Sequence, residues 1–420
     1  MIVSGLLTSA FTYFYPVSMA RLLEPAEYGT LYSLNSLLII VSVLTQAVAL
    51  TTARYSSKLK AQGNLDGVGV LWRSSLKRTL LVGLALFVLL AALSPLLAKL
   101  LKIDSTFHLV VVFASVIFAF SLWANFGFLQ GLQRFYALAS TQTLWAFLRP
   151  ASGIFLVVLG FGLLGGLVAL PISFAVVLIV SSLLLSHSSG SGTATARADT
   201  SGIVSYVSFT LVATLSLTAL INLDVLLAKA FLNDQGAASY SLISVLGKVA
   251  VYAPTGIAAA MFPKTSESFE RGSEHRAVFL RAMFLCVAAV AAVCLAFALF
   301  PTQIIHLLSQ GKYDDAAISP YLPRYALAMS FLALSSVVVT YFLSIAKTRV
   351  AYCLLGSVAL QVALFGLYHS DIGQMVNVVL ISGAVTLAAL LLIFVVWSGT
   401  RKKHQDESGE MSNMSLHNPL

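Results

Sequence analysis

Two basic residues lie in the middle of long apolar segments of this chain, where a charge is hard to solvate. Arg149 lies between LWAFL and PASGIF, and Lys248 lies between SVLG and VAVY. A charge at the centre of a bilayer costs on the order of 2.5–3.5 kcal/mol on insertion scales, so such residues usually face a protein interior or a water-filled cavity. Because a guanidinium group pairs bidentately with phosphate oxygens, these cations predict a site for an anionic ligand.

An amide and an indole share the helical face of Arg149. Gln142, Trp145 and Arg149 are spaced i, i+3 and i+7, which puts the three side chains on one side of a helix. An aromatic face beside a guanidinium suits a ligand that carries both phosphate and a sugar ring or a prenyl chain. The alternative is structural, because Pro150 frees backbone carbonyls that the Arg149 side chain would then bond.

Lys248 belongs to a second face of the same kind. Tyr240, Ser244, Lys248 and Tyr252 recur every four residues and therefore share one slowly drifting side of a helix. The alternative is a lysine whose long stem reaches the membrane interface. That alternative is weaker here, because Lys248 is about 15 Å along the helix axis from the start of its segment at residue 238.

Asp224 is the only acidic residue within the apolar segments. It lies five residues before Lys229, so the two side chains point about 140° apart on an ideal helix and need not pair. We expect Asp224, with Asn222 beside it, to be a candidate proton or cation site, the alternative being a structural hydrogen bond to a neighbouring helix. Asn35 and Gln46 lie on another polar stripe and are candidate ligand residues, with hydrogen bonding between helices as their alternative.

The composition places these residues in a membrane protein. Of the 420 residues 59% are hydrophobic and only 10% are charged, whereas soluble domains are roughly 45–50% apolar and about 25% charged. The net charge of +9 does not indicate nucleic acid, since nucleic-acid binders carry basic patches on a polar surface. Neither a P-loop nor an HExxH motif occurs, and the three cysteines have no metal-ligand spacing. We therefore expect no cofactor, no metal site and no catalytic site.

The apolar segments predict an all-α, polytopic fold. About 20 apolar residues cross a bilayer as a helix. The pattern predicts twelve such helices, at residues 2–19, 28–50, 79–98, 107–130, 138–160, 163–186, 203–228, 238–262, 278–300, 321–345, 350–368 and 373–397. A GxxxG pair, Gly127 and Gly131, predicts close packing of the fourth helix.

The loop charges predict which side each loop faces. Lys and Arg concentrate in cytoplasmic loops, and with the N-terminus inside, seventeen of the 25 basic residues fall in cytoplasmic segments. The predicted outer loops hold five: Arg21, Lys99, Lys102, Lys312 and Arg324. The pattern predicts a multi-pass protein of the cytoplasmic membrane with both termini in the cytoplasm.

A flexible linker divides the chain near its middle. Residues 188–202 read SSGSGTATARADTSG, a composition typical of flexible linkers. A weak repeat at an offset of 208 residues aligns Tyr32-Ser33-Leu34 with Tyr240-Ser241-Leu242. The prediction is two six-helix bundles, residues 1–187 and 203–398, joined by the cytoplasmic linker and followed by a polar cytoplasmic tail at 399–420. Parallel repeats of this kind are common in transporters.

Several motifs carry a resemblance to a known family. They are RLLEPAEYG at 21–29, LYSL at 31–34, ARY at 53–55, FLQGLQRF at 128–135, NLDVLLAK at 222–229, residues 238–247 and FPK at 262–264. The chain resembles the polysaccharide, or Wzx-type, flippases of the multidrug/oligosaccharidyl-lipid/polysaccharide (MOP) exporter superfamily. The resemblance spans most of residues 1–400.

The resemblance implies a MATE-like fold with a central cavity between the halves. It implies passage of an undecaprenyl-diphosphate-linked oligosaccharide or polysaccharide repeat unit, such as an O-antigen or exopolysaccharide unit, to the outer leaflet by alternating access. The expected partners are the lipid-linked glycan and membrane lipid, with the polymerase and glycosyltransferases of the pathway as further candidates. Two departures from the superfamily's patterns count against a drug exporter and a peptidoglycan-precursor flippase. Residues 2–20 hold no acid, unlike the first helix of many proton-coupled drug exporters, and twelve helices are fewer than the fourteen of peptidoglycan-precursor flippases.

Two other functions stay open. A multidrug or small-cation exporter of the same superfamily would prefer an acidic aromatic pocket. A polytopic glycan polymerase or ligase would need a large outer loop with catalytic groups. In the longest outer loop, around residues 301–320, only Lys312, Asp314 and Asp315 cluster, so the sequence favours the flippase.

Overall fold

A computed structural model describes residues 2–186, 203–252, 254–270, 275–345 and 350–416, and in these ranges the chain forms helices joined by short turns. The helices are α1 Ile2–Leu22, α2 Pro25–Ala61, α3 Leu65–Leu100, α4 Thr106–Gly131, α5 Phe135–Leu156, α6 Gly162–Ser186, α7 Ile203–Phe231, α8 Asp234–Gly247, α9 Val249–Tyr252, α10 Thr255–Glu270, α11 His275–Leu299, α12 Pro301–Ser309, α13 Asp315–Ile318, α14 Tyr321–Ser344, α15 Val350–Leu367 and α16 Ile372–Leu416. The all-α prediction is confirmed.

Ten stretches of the described residues are long and apolar enough to cross a membrane. One of them, residues 135–186, is 52 residues long and contains both α5 and α6. The chain reverses between these two helices at Gly160 and Gly162, whose positive φ angles of 93° and 49° suit residues without a Cβ. With this stretch counted as two segments, and with α1, the described residues contain twelve segments that correspond to the twelve predicted spans.

Several helix boundaries differ from the prediction. α2 has 37 residues and α3 has 36, against predicted spans of about 20, so each helix is about 55 Å long. The apolar pattern marks only the part inside a bilayer, and the chain meets no helix-breaking residue until Gly63, where φ is 71°. The predicted linker at 188–202 lies outside the described residues. α16 continues to Leu416 and so includes most of the predicted tail.

The predicted eighth helix is broken into α8, α9 and α10. The first break is at Lys248, which ends α8 with φ −66° and ψ −10°. The second break lies beside Pro254, which has no backbone N–H to continue the helix. The predicted span at 238–262 lies within one membrane-spanning stretch, residues 234–262. The helix in this stretch is interrupted, however, and Lys248 lies at a helix end rather than in a helix interior.

α2 joins the two halves of the molecule. It packs against α4 of its own half and against α7 and α8 of the other half. A Cβ on Gly29 would lie 3.1 Å from the backbone nitrogen of Ala238, so the glycine allows α2 and α8 to approach closely. The Ser33 hydroxyl donates to the Val225 carbonyl at 3.5 Å.

The predicted glycine packing on α4 is confirmed. A Cβ on Gly127 would collide with the Ala49 carbonyl and the Thr52 hydroxyl of α2, and one on Gly131 would collide with the corresponding groups one turn later. The Thr52 hydroxyl donates to the carbonyl of Ala124 at 3.1 Å. The two helices therefore touch along their backbones.

Cations close the two halves against each other on the side predicted to face outward. The Arg21 guanidinium, at the end of α1, donates to the Leu307 carbonyl in the last turn of α12 at 2.6 Å. The Lys312 ammonium donates to the carbonyl of Leu23 at 3.1 Å. Lys102 donates to the last carbonyls of α7 at 3.2 and 3.3 Å. Cations at helix C-termini are favoured by the helix dipole, so three of the five predicted outer cations connect the halves.

Candidate functional site

Arg149 lies inside the N-terminal half, on α5. Its side chain is 8% exposed. Its Nη2 donates to Asn35 Oδ1 on α2 at 2.7 Å, and its guanidinium carbon lies 4.2 Å from the centre of the Tyr15 ring on α1. The structure gives the guanidinium an amide oxygen as its hydrogen-bond partner rather than the carbonyls around Pro150.

Lys248 lies inside the C-terminal half, at the break between α8 and α9. It is 1% exposed, so its stem does not reach a membrane interface. Its Nζ donates to Asn222 Oδ1 on α7 at 3.2 Å and lies 5.3 Å from the centre of the Tyr32 ring on α2. The ammonium group of Lys248 therefore contacts α2, which belongs to the opposite half.

The two cations have the same kind of surroundings. Each donates to the side-chain oxygen of an asparagine, and each stands over the face of a tyrosine that belongs to the N-terminal half. Among the described residues neither cation forms an ion pair with a carboxylate. A buried charge is costly unless it is paired and hydrogen-bonded. Here the hydrogen bonds are present, but no carboxylate of the described residues contacts either cation; buried Asp224, two residues from Asn222, is near Lys248 without pairing with it. The site has a positive charge that an anionic group would neutralise.

α2 lies next to both cations. Tyr32, beside Lys248, and Asn35, beside Arg149, are three residues apart on this helix and therefore close to one face. The predicted residue Tyr252, at the end of α9 in the other half, is 56% exposed. Lys248 thus contacts the opposite half directly through Tyr32, whereas the contacts of Arg149 are with Asn35 and Tyr15 of its own half.

The predicted residues Tyr240 and Ser244 belong to a hydrogen-bond network around Asp224. The phenols of Tyr240 and Tyr325 both donate to Asp224 Oδ2, at 3.0 and 2.6 Å. The Ser244 hydroxyl is 2.8 Å from the Tyr325 phenol. Asp224 is fully buried, and its Oδ1 has no hydrogen-bond partner among the described residues. The network lies within the C-terminal half and leaves one carboxylate oxygen free.

Lys229, the third basic residue at membrane depth, has a different environment. It is buried and forms an ion pair with Asp234 at the start of α8. It does not pair with Asp224, in agreement with the angular argument from the sequence. Because its charge is neutralised by a carboxylate, Lys229 is a matched comparison for Lys248.

A cavity of about 100 Å³ lies inside the N-terminal half, between α2, α4, α5 and α6. Asn35, Trp145 and Arg149 contribute to its wall, together with Trp123 and Phe174. The Trp145 and Phe174 rings are 5.6 Å apart. The predicted companions at positions 142 and 46 do not line this cavity, and the glutamine at 46 is exposed.

The sequence did not identify the tyrosines that hold the cations. Tyr32 lies three residues before Asn35, so extending the polar stripe of α2 by one turn would have included it. Tyr15 and Tyr325 had no such signal, because their contacts with Arg149 and Asp224 join distant parts of the chain.

Several solved structures share the fold of this chain. An inward-facing multidrug resistance MATE family transporter of the MOP superfamily is 15% identical over 94% of this chain and 95% of that chain, with a TM-score of 0.78. An outward-facing one is 15% identical over 95% and 94%, with a TM-score of 0.68. The lipid II flippase MurJ, in an inward closed conformation, is 13% identical over 93% and 86%, with a TM-score of 0.68. This chain shares the fold of these multi-pass proteins along almost its whole length.

The chain belongs to the family of polysaccharide biosynthesis proteins, whose model matches residues 18–318. This match confirms the resemblance to the polysaccharide flippases that the motifs at 21–29 and 222–229 indicated. No protein with a curated function matches the chain.

Proposed function

We propose that this transporter flips a lipid-linked oligosaccharide or polysaccharide repeat unit, of the undecaprenyl-diphosphate type, across the cytoplasmic membrane. Its family of polysaccharide biosynthesis proteins supports the glycan. Its fold is shared with a protein described as a lipid II flippase, which supports a lipid-linked substrate.

The observation that carries the proposal is a pair of buried cations that no carboxylate of the described residues contacts. Arg149 comes from one half and Lys248 from the other. A diphosphate brings two or more negative charges, and charge-assisted hydrogen bonds to phosphate are roughly twice as strong as neutral ones. With Asp224 as the one buried carboxylate near them, the two cations leave a net positive charge, and a substrate diphosphate that reaches both would neutralise it.

The proposed mechanism is alternating access, in which the two halves of the protein close the site on one side of the membrane at a time. The contacts of Arg21, Lys102 and Lys312 join the halves on the predicted outer side, so the head group would enter from the cytoplasmic side while the lipid tail stays in the bilayer. Rocking of one half against the other would then expose the head group outside. An ion gradient or the membrane potential would supply the energy, about 2.3 kcal/mol per charge for 100 mV.

We propose Asp224 as the residue that couples transport to an ion, with Asn222 close by. A fully buried carboxylate with one free oxygen can take a proton or bind a cation. Asn222 donates to the Thr218 carbonyl and accepts from Lys248, so it connects the Asp224 helix directly to the anion-binding lysine. Ion binding at Asp224 would be sensed at Lys248 through this helix.

We also propose that the protein lies in the cytoplasmic membrane with both termini inside. The concentration of basic residues in alternate loops supports this orientation. The lipid-linked glycan and membrane lipid would be its partners, and the polymerase and glycosyltransferases of the pathway would act before and after it.

Arg149→Ala and Lys248→Ala test the proposal. Each variant is expected to abolish appearance of the glycan at the cell surface, because the diphosphate loses one of two cations, while the protein still inserts. The matched control is Lys229→Ala, which removes a buried lysine that already has a carboxylate partner; surface glycan should persist. Surface-glycan labelling in a deletion strain gives the measurement. Normal labelling with both Arg149→Ala and Lys248→Ala would refute the cation site.

The multidrug or small-cation exporter is the second candidate, because several solved structures of this fold are multidrug resistance transporters. A deletion strain that becomes drug-sensitive while its surface glycan stays normal would support that function. The polymerase or ligase would instead leave unpolymerised units outside the membrane when it is deleted, whereas loss of the flippase leaves them inside.

A further inference from the structure

The cavity inside the N-terminal half has two hydrogen-bond donors that no described protein group satisfies. They are the indole Nε1 of Trp145 and the Nε of Arg149, both buried. The two residues are four positions apart on α5 and therefore neighbours on one helical face, and both contribute to the wall of the cavity. Buried donors almost always have a partner, so this pair points to a ligand with acceptor oxygens.

The hydroxyl groups of the cavity do not supply further donors. Ser42 and Thr45 donate to carbonyls of their own helix, α2, at 2.8 and 2.6 Å. Ser115 donates to a carbonyl of α4 at 2.6 Å. The buried donors of the cavity wall that have no partner among the described residues are therefore the Trp145 indole and the Arg149 guanidinium. The guanidinium is held in place by Asn35 and by the Tyr15 ring.

The size of the cavity limits what it accepts. Its volume is about 100 Å³, and an apolar cavity of about 150 Å³ is known to hold a benzene molecule. A pyranose ring with its hydroxyls is larger than benzene, so the recess itself does not enclose a whole sugar. A planar substituent of three or four non-hydrogen atoms does fit, and Trp123, Phe120 and Phe174 give it flat apolar walls.

We propose that this cavity is a specificity subsite for a planar acceptor-bearing substituent of the saccharide, a carboxylate or an acetamido group, bonded by Trp145 and Arg149. The subsite rests on the proposed function, because it takes a group that the lipid-linked glycan presents. The ring that carries the substituent stays outside the cavity. The diphosphate is bound through Lys248 and the Nη side of Arg149, so one guanidinium contacts both parts of the substrate.

Binding of three matched probes tests the subsite. The probes are geranyl diphosphate linked to glucose, to N-acetylglucosamine or to glucuronic acid, titrated into the full-length protein in nanodiscs. We expect at least one substituted probe to bind about tenfold tighter than the glucosyl probe, the ratio expected when a buried donor gains its partner. A preference for glucuronate identifies a carboxylate subsite, and a preference for N-acetylglucosamine identifies an acetamido subsite.

Trp145→Phe is the decisive variant, because it removes the indole N–H and keeps the aromatic contact with Phe174. The preference between probes should disappear. The indole resonance of Trp145 in nitrogen-15 spectra should move on binding. The indole of Trp72 already donates to Asn125 at 2.9 Å and should not move.

The outcomes separate the subsite from the function on which it rests. Equal binding of all three probes to the wild-type protein, with an unmoved Trp145 resonance, would overturn the subsite and leave the flippase standing. Failure of every probe to bind would count against the proposed function and would remove the subsite with it. A Trp145→Phe protein that still binds the glucosyl probe is folded. Loss of the preference for substituted probes is then due to the missing indole N–H.

Discussion

Lys248→Met separates the function of the buried charge from its contribution to stability. The substitution keeps most of the aliphatic volume and removes the ammonium group. A hydrogen bond to a charged group, here to Asn222 at 3.2 Å, is worth about 1.5–3 kcal/mol. The cation–π contact with Tyr32, at 5.3 Å, adds about 0.5–2 kcal/mol. Burial of an ammonium costs several kcal/mol, so these contributions nearly cancel.

We therefore expect Lys248→Met to change the free energy of unfolding by no more than about 2 kcal/mol. The effect on substrate should be larger. Loss of one charge-assisted hydrogen bond to phosphate, about 1.5–3 kcal/mol, weakens binding about 10- to 100-fold. The assay combines surface-glycan labelling of a complemented deletion strain with the apparent midpoint of thermal unfolding of the purified protein.

The double variant Lys248→Met, Asn222→Leu completes the test. Lys248→Met alone leaves the buried Asn222 oxygen without its donor, whereas replacing both partners by apolar groups is often close to neutral. The double variant should thus recover any stability that the single variant loses, without recovering export. A double variant that is well folded and exports glycan normally would refute the anion-binding role of Lys248.

Three further predictions follow from the packing and the network. Asp224→Asn keeps an oxygen acceptor for the two phenols, so the protein should fold and bind the substrate, while export in proteoliposomes loses its dependence on an ion gradient; unchanged gradient dependence would exclude Asp224 from coupling. Arg21→Ala with Lys312→Ala removes two hydrogen bonds between the halves, each worth about 1 kcal/mol, and should raise the equilibrium ratio of open to closed outer side about thirtyfold. Spin labels placed across that side should then report a longer distance. An unchanged distance distribution would contradict the proposed closure. Gly127→Leu should unfold the α2 and α4 contact, whereas Gly356→Leu, with open space around its Cα, should leave the thermal midpoint unchanged, and equal effects would contradict the backbone packing.

The sequence was sufficient for the class of fold and for the two cations. Apolar length predicts helices because the bilayer requires every backbone group to be bonded within the helix. The cost of burying a charge singles out Arg149, Lys248 and Lys229 among the 25 basic residues, and of these Lys229 forms an ion pair with Asp234. Both inferences rest on local properties of the chain and do not require the tertiary packing of the helices.

The partners of the cations depend on tertiary structure and were not predictable from spacing. Tyr15 contacts Arg149, and Tyr32 contacts Lys248, across long stretches of sequence. The break at Lys248 was hidden by the continuous apolar pattern, although Pro254 was a visible sign of irregularity. The contacts of Arg21, Lys102 and Lys312 were not predictable either. The positive-inside rule treats basic residues in outer loops only as exceptions.

Flipping in proteoliposomes measures directly whether Arg149 and Lys248 carry a lipid-linked glycan between the leaflets. The wild-type protein, and a variant carrying both Arg149→Met and Lys248→Met, would be reconstituted with a fluorescent undecaprenyl-diphosphate disaccharide, and a membrane-impermeant quencher would report how fast the probe moves between leaflets. We predict that the wild-type protein exchanges the probe between leaflets. In the double variant the probe of the inner leaflet should stay protected from the quencher. Exchange at equal rates in both, or no exchange by an intact wild-type protein, would contradict it.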